Sequence, residues 1–570
     1  MMPSTPTPES GSGGSSPLRR YGPIAAIVVV IAIVAGIVLL SGGDDDDGED
    51  AVAGGGTTTT AEGEAAAPSG AISFSQAEDQ GLDVTFKESC DLETGRVAMP
   101  YFFAPECYAN AELSADWQPS RGVTADSINV VVYVAPETDP ILDFITAAIN
   151  NDDTNAQENE TMEGFVAAFQ AMYQTYGRTV NLTFMDGSGT SDDQVAARAD
   201  AVRADEEFDA FAVFGGPVLA NAWTEELNAR NVICIGCPAV TEPEPNVFGV
   251  LASSLQNRLH IVEYVSTRLA GKPAEFAGDE AMRTQDRVFG HLYIEANDES
   301  ATSAADLRAR LEAEGVTLAE QAAYTLDPNT LQEQANGIIS RFRDAGVTSV
   351  IVQTDPIAPS VFTQVATLQE WFPEWILTGS TLTDTTAFGR TYDQQQWAHA
   401  FGISQLGART APGVGGSSQL YEWFNGAPPP ADDSDGVIIP GPAIFFAGLQ
   451  LAGPDLDVES MREGLLSLAP SDTRTITQPG FSYGDHGLYP VIDYAGIDDF
   501  TEVWWDPTVE GDDEIDRPGT GMYRYVDGGV RYRLGEWGAE STPLFDLDGT
   551  VTVYTEPPAA EVVPDYPPPG

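Results

Sequence analysis

The chain has 570 residues with 87 acidic against 26 basic side chains, a net charge of -61, four histidines and four cysteines. Lys87 and Lys272 are its only lysines, which excludes a basic surface for nucleic acid or anionic lipid. The acids are spread along the whole chain and read as a solvated surface.

Ile24 to Leu40, "IAAIVVVIAIVAGIVLL", is an uninterrupted apolar run. As a helix it reaches roughly 25 Å, enough to span a slightly thinned bilayer. Arg19 and Arg20 precede it and "DDDDGED" follows, so residues 1–22 are expected in the cytoplasm and the rest of the chain outside. A cleaved signal peptide is the alternative, but "VLLSGGDDDD" offers neither a small-residue cleavage site nor a lipid-accepting cysteine. Residues 23–40 are therefore the expected transmembrane anchor. The Gly, Thr, Ala and acidic stretch 41–72 is an expected disordered tether.

The remaining length is too great for one core and sufficient for two or three domains. From Ile128, β-branched runs alternate with amphipathic stretches. "INVVVYV" (128–134) predicts a strand, and "ETMEGFVAAFQAMYQTYG" (160–177) a helix with Met162, Phe165, Phe169 and Met172 on one face. "VNLTFMD" (180–186), "DAFAVFGG" (209–216) and "VICIG" (232–236) continue the strands, with helices between. The pattern restarts at "RVFGHLYI" (287–294) and runs through "VTSVIVQT" (347–354) to "WILTGS" (375–380). Two such series predict two parallel sheets, each covered by helices on both faces. "WAHAFGISQLG" (397–407) reads as a further strand, "GPAIFFAGLQLAG" as a helix, and "VWWDP" and "GMYRYVDGGVRYRLGEW" as strand and hairpin. The ending "EPPAAEVVPDYPPPG" is Pro-rich and expected to be loose.

No nucleophile elbow, phosphate loop or His-Glu-x-x-His motif occurs, and His260, His291, His399 and His486 are isolated. An enzyme is not expected. "CIGC" (234–237) lacks the second Cys/His pair that zinc requires. It ends a strand rather than opening a helix, unlike a redox couple. In an oxidising compartment four cysteines favour two disulfides; of the three pairings the local one, Cys90 with Cys107 and Cys234 with Cys237, is the simplest.

Ligands of open parallel sheets bind beyond the carboxyl ends of the strands. There the chain places "GGPVLANAW" (215–223), "GCPAVTEP" (236–243), "EANDES" (295–300), "QTDP" (353–356) and "TGSTLTD" (378–384). These small, polar loops suit a carboxylate or other polar ligand.

The order and spacing of "DGSGTSDDQVAARADAVRADEEFDAFAVFGG", "CPAVTEP" and "VWWDP" over residues 124–540 resemble the type I periplasmic-binding-protein fold, in particular the branched-chain amino acid and amide receptors of ABC importers. The resemblance implies an α/β, two-lobed architecture of two doubly wound parallel sheets with a hinge, preceded here by one transmembrane helix. It also implies three crossings between lobes. Lobe one would be 124–258 plus 400–484, lobe two 259–399 plus 485–540, with an N-terminal extension, 73–123, and a tail, 541–570. Gly216, Pro217, Ala239, Val240 and Thr241 would hold the ligand from lobe one. Asp298, Ser300, Gln353, Thr354, Asp355, Ser380 and Thr381 would close over it, with Asp355 or Asp384 facing an ammonium group. The implied partners are a small-molecule ligand and an ABC permease, for a monomer without cofactor or metal. A ligand-sensing receptor domain signalling through a partner membrane protein is the alternative.

Overall fold

The computed structural model describes residues 70–569, apart from 101–103, 218, 238–243, 296–297, 381, 412–413, 472–473, 540–542 and the side chains of 143, 298 and 299. The expected cytoplasmic tail, anchor and nearly all of the tether lie outside the described residues. Two sheets carry the fold. The first consists of β1 (Ser127–Val134), β2 (Thr179–Asp186), β3 (Ala212–Phe214), β4 (Ile233–Ile235) and β5 (Val247–Phe248), all parallel, in the order β2-β1-β3-β4-β5.

The second sheet begins with β6 (Phe289–Ile294), β7 (Leu318–Tyr324), β8 (Ser349–Gln353), β9 (Glu374–Thr378) and β10 (Ala400–Ser404), parallel and in the same relative order. Every residue of β8, β9 and β10 is buried, as strands covered on both faces must be. The long antiparallel strands β11 (Asp499–Asp512) and β12 (Pro518–Tyr525) extend the sheet beyond β10, with Arg531–Arg533 beside β11.

The pairing of Trp375 with Ala400 corrects one boundary. The strand at 400, expected to open the return to the first lobe, is the fifth parallel strand of the second, and the chain returns only after Ser404. An apolar five-residue strand has no mark of which sheet it joins. Long-range pairing decides it.

Three crossings link the lobes and bond to one another. Gly249 N donates to Tyr494 O at 2.8 Å, Gly496 N to Gly249 O at 2.9 Å, and Ala252 N to Gln405 Oε1 at 3.0 Å. After the second crossing, helices Gly416–Asn425, Pro440–Ala452 and Val458–Leu466 return to the first lobe. They pack on Asn155–Met172, the second helix after β1, through Phe165 with Tyr421 and Phe169 with Phe446, ring centroids 5.3 and 6.0 Å apart. Among the described residues, Asp435–Ala452 is long and apolar enough to cross a membrane, but two thirds of it is buried, so it serves as a core helix.

Both local disulfides are present, with Cα separations of 5.8 Å for Cys90–Cys107 and 5.7 Å for Cys234–Cys237. The N-terminal extension braces the first lobe. Lys87 Nζ donates to the carbonyls of Gln170 and Tyr173 at 2.9 and 2.8 Å, at the C-terminal end of Asn155–Met172, where a cation complements the helix dipole.

The Pro-rich tail is docked rather than loose. Val551 bridges Tyr525, Val553–Tyr554 pairs with Arg409–Thr410, and Ile476 N donates to Glu561 at 2.7 Å. Trp423 Nε1 then donates to Tyr566 O at 2.9 Å. Proline-rich backbone loses little entropy on ordering and leaves its carbonyls free to accept such donors. The tail therefore runs as a strap from the second lobe to the first.

Candidate functional site

The connection after β1 shapes one end of the first sheet. Asp139 accepts from Ile141 N at 2.9 Å and Pro140 opens α1 (Pro140–Ile149), a standard helix start. Asn150 ends it in the left-handed conformation, φ 52°. Thr154 and Gln157 then form a reciprocal capping box at the start of α2 (Asn155–Met172). This second start places Glu158 in the first turn of α2, above the carboxyl ends of β1, β3 and β4.

A cavity of about 50 Å³ lies there. Its walls are Val132 and Val134 of β1, Met162 of α2, Phe214 and Gly215 after β3, Ile235 and Gly236 after β4, Val250 of the first crossing, and Ile438 and Gly441 from the returning helices. Glu158 and Asn159 supply its polar side chains. Gly236, at φ 67°, makes the bend between the bridged cysteines. Gly216, one residue beyond the wall, lies against the Trp223 ring. A Cβ there would stand 2.3 Å from Trp223 Nε1, which donates to Gly215 O at 3.0 Å.

Glu158 is 5% exposed, and its Oε1 has no hydrogen-bond partner. Burial, reinforced by the neighbouring Asp153, holds its carboxyl well above the usual range. Asp153 is buried too and pushed up to about 6, chiefly by burial. Its carboxylate accepts from the Ser434 hydroxyl, which in turn accepts from Asn151 Nδ2 at 3.3 Å. Among the described residues no lysine, arginine or histidine lines the cavity, and no group of His, Cys, Asp and Glu has the arrangement of a metal site.

The predicted ligand residues fall elsewhere. Gly216 and Pro217 are buried next to the cavity wall. Ala239, Val240, Thr241 and Thr381 lie outside the described residues. Asp298 opens the helix Asp298–Ala313, with its side chain outside them, and Ser300 is buried on that helix.

Gln353 Oε1 accepts from His291 Nε2 at 3.1 Å, and His291 Nδ1 from Gln321 Nε2 at 2.9 Å. Burial lowers the His291 pKa to about 4, which fits a neutral structural ring. Asp355 accepts from Tyr324 OH on one oxygen and from Ile357 N and Ala358 N, at 2.8 and 2.9 Å, on the other. Both oxygens are thus engaged, one of them in capping the next helix. Thr354 and Ser380 are buried, and Asp384 accepts from Ser404. None of these second-lobe residues lines the cavity.

What faces the second lobe is α1. Ile141, Phe144, Ala148 and Ile149 pack against the hydrophobic cluster that contains Ile357, Phe388 and Tyr392. Arg517, from the turn between β11 and β12, donates to Ile149 O and pairs with Asp433 at 2.7 Å. Sequence reasoning passed over α1 and Glu158, although "TDP" and "TNAQ" are both legible helix starts.

No family model matches the chain, and no curated protein does. Similar solved structures include a substrate-binding protein of an ABC transporter from Sphaerobacter thermophilus, at 12% identity and TM-score 0.49, covering 73% of this chain and 100% of that one. A solute-binding protein from R. palustris in complex with 4-hydroxybenzoate gives 13%, 0.48, 70% and 97% for the same measures. A branched-chain amino acid binding protein from Streptococcus pneumoniae in complex with isoleucine gives 12%, 0.45, 70% and 100%. The structural neighbours are thus solute-binding proteins of ABC transporters, at low sequence identity; the α/β architecture itself rests on the two strand orders and the three crossings.

Proposed function

We propose that the chain is an extracytoplasmic solute-binding protein, held at the membrane by Ile24–Leu40, that captures a small ligand and presents it to an ABC permease. One observation carries the reading. A cavity sits at the carboxyl ends of the first sheet, beside Val250 of a crossing between lobes, where an open parallel sheet offers its binding crevice. Movement about the crossings would couple occupancy of that cavity to the separation of the lobes. The loops at 216–217, 239–241, 298–300, 353–355 and 380–381 would then form the rim that meets the ligand on closure.

Native mass spectrometry of the full chain released from detergent tests the reading. A retained small molecule is expected in the wild type and is lost in Gly441→Leu. A Cβ at Gly441 would stand 3.6 Å from Phe214, an ordinary contact, so the longer side chain enters the cavity without a clash at its root. Binding unaffected by this variant would remove the cavity from the account.

A further inference from the structure

We propose that the cavity selects a small primary ammonium ion, with Glu158 as the carboxylate that receives it. The inference rests on the solute-binding reading and names its ligand class. Glu158 lines the wall and its buried Oε1 has no partner, so an occupant whose hydrogen-bond donor reaches that oxygen gains most. An anionic ligand finds no cation at the cavity wall among the described residues. It would be buried beside Glu158 and Asp153 without compensation, which is strongly unfavourable.

The surrounding charges act the same way. Asp152 and Asp153 stand before α2, and Asp432, Asp433 and Asp435 on the segment facing it. Arg517, which pairs with Asp433, also reaches this acidic segment. The walls are otherwise apolar, and the volume takes roughly four water molecules or a chain of four or five heavy atoms. A short alkylammonium fits both the volume and the charge.

The proton balance follows from the burial of Glu158. Without ligand its dry, acidic surroundings favour the protonated carboxyl. An alkylammonium, with an ordinary pKa of about 10.4 like a lysine side chain, arrives charged. On binding, Glu158 releases its proton to solvent and the ammonium takes the place of that charge. The cavity gains little net charge, and binding of the ammonium is accompanied by proton release.

Isothermal titration calorimetry on the full chain with n-butylamine, n-butanol and butyrate tests this, in two buffers of different ionisation enthalpy. The expected result is butylamine binding at least tenfold tighter than butanol or butyrate, with net proton release. Glu158→Gln should weaken butylamine at least tenfold while its melting temperature is held or raised, and Gly441→Leu should abolish binding. Butanol or butyrate binding tighter than butylamine, with loss in Gly441→Leu, would overturn the ammonium assignment and leave the solute-binding reading standing. Butylamine binding unchanged in Glu158→Gln would overturn it equally. If none of the probes binds and native mass spectrometry finds no retained molecule, both readings fall together.

Discussion

Arg517 of the second lobe holds Asp433 of the first, Nη2 to Oδ2 at 2.7 Å, and also donates to the carbonyl of Ile149 at the end of α1. One side chain thus fastens the β11–β12 turn to both the acidic segment beside the cavity and the helix between the lobes. Because the pair is part-exposed, its worth to global stability is about 1 kcal/mol or less. Arg517→Ala should therefore barely change the melting temperature but increase the radius of gyration in small-angle scattering, as the lobes part. An unchanged scattering profile would show that the turn holds nothing closed.

The strap makes a second tie. Tyr566 OH donates to Asp91 at 2.8 Å and Trp423 to the Tyr566 carbonyl, while Val551 stays on the second-lobe strand β12. Deleting 551–570 should lower the melting temperature by roughly 5 °C and expose Trp423 to aqueous quenchers. Tyr566→Phe, which removes one hydrogen bond, should cost about 1 kcal/mol or less. If the deletion leaves both readouts unchanged, the strap is not a brace.

Below about pH 6.5 the buried neutral His260 and His291, lowered to about 3 and about 4, make stability rise with pH; above it, stability should fall toward pH 8. Burial raises Glu158, brings Asp153 to about 6, and raises the Asp493–Asp498 pair of the third crossing. A carboxyl whose folded pKa lies above its unfolded value binds more protons folded. Its contribution is therefore complete below the unfolded pKa and disappears as pH climbs through the folded one. Thermal melts at several pH values should show Asp493→Asn and Glu158→Gln each flattening the decline by a few degrees. A melting temperature that rises monotonically above about pH 6.5 in the wild type would contradict the assignment.

The Cys234–Cys237 disulfide brackets Gly236 at the cavity wall. Cys237→Ser should cost about 2 kcal/mol of stability, and it should halve or worse the ligand-induced rise in melting temperature by freeing the loop. Equal ligand shifts in mutant and wild type would leave the bridge a purely structural one.

The strands were the most legible part of the sequence. "INVVVYV" and "VTSVIVQT" are β-branched runs long enough to declare themselves, and the repeated strand-helix order predicted both sheets. The allegiance of Ala400–Ser404 was not legible, because it depends on pairing with Trp375–Thr378. Asp355 was legible as a ligand candidate but not as a carboxylate with both oxygens already engaged, since one of its partners, Tyr324, comes 31 residues earlier. Glu158 escaped for a different reason. An acid in the first turn of a helix ordinarily faces water and complements the dipole, and only the return of Ile438 and Gly441 over α2 and the strand ends turns this one into a cavity wall. The strap was hidden because proline content alone does not tell a docked segment from a free one.

The most direct test of the account is thermal-shift screening of the full chain and Gly441→Leu in parallel, against short amines, amino acids, amides and small acids. The account predicts that at least one compound, foremost a short amine, raises the wild-type melting temperature in a concentration-dependent way through mass action, and that the filled cavity abolishes the rise. Equal shifts in both proteins, or no shift with any compound up to millimolar concentrations, would contradict it.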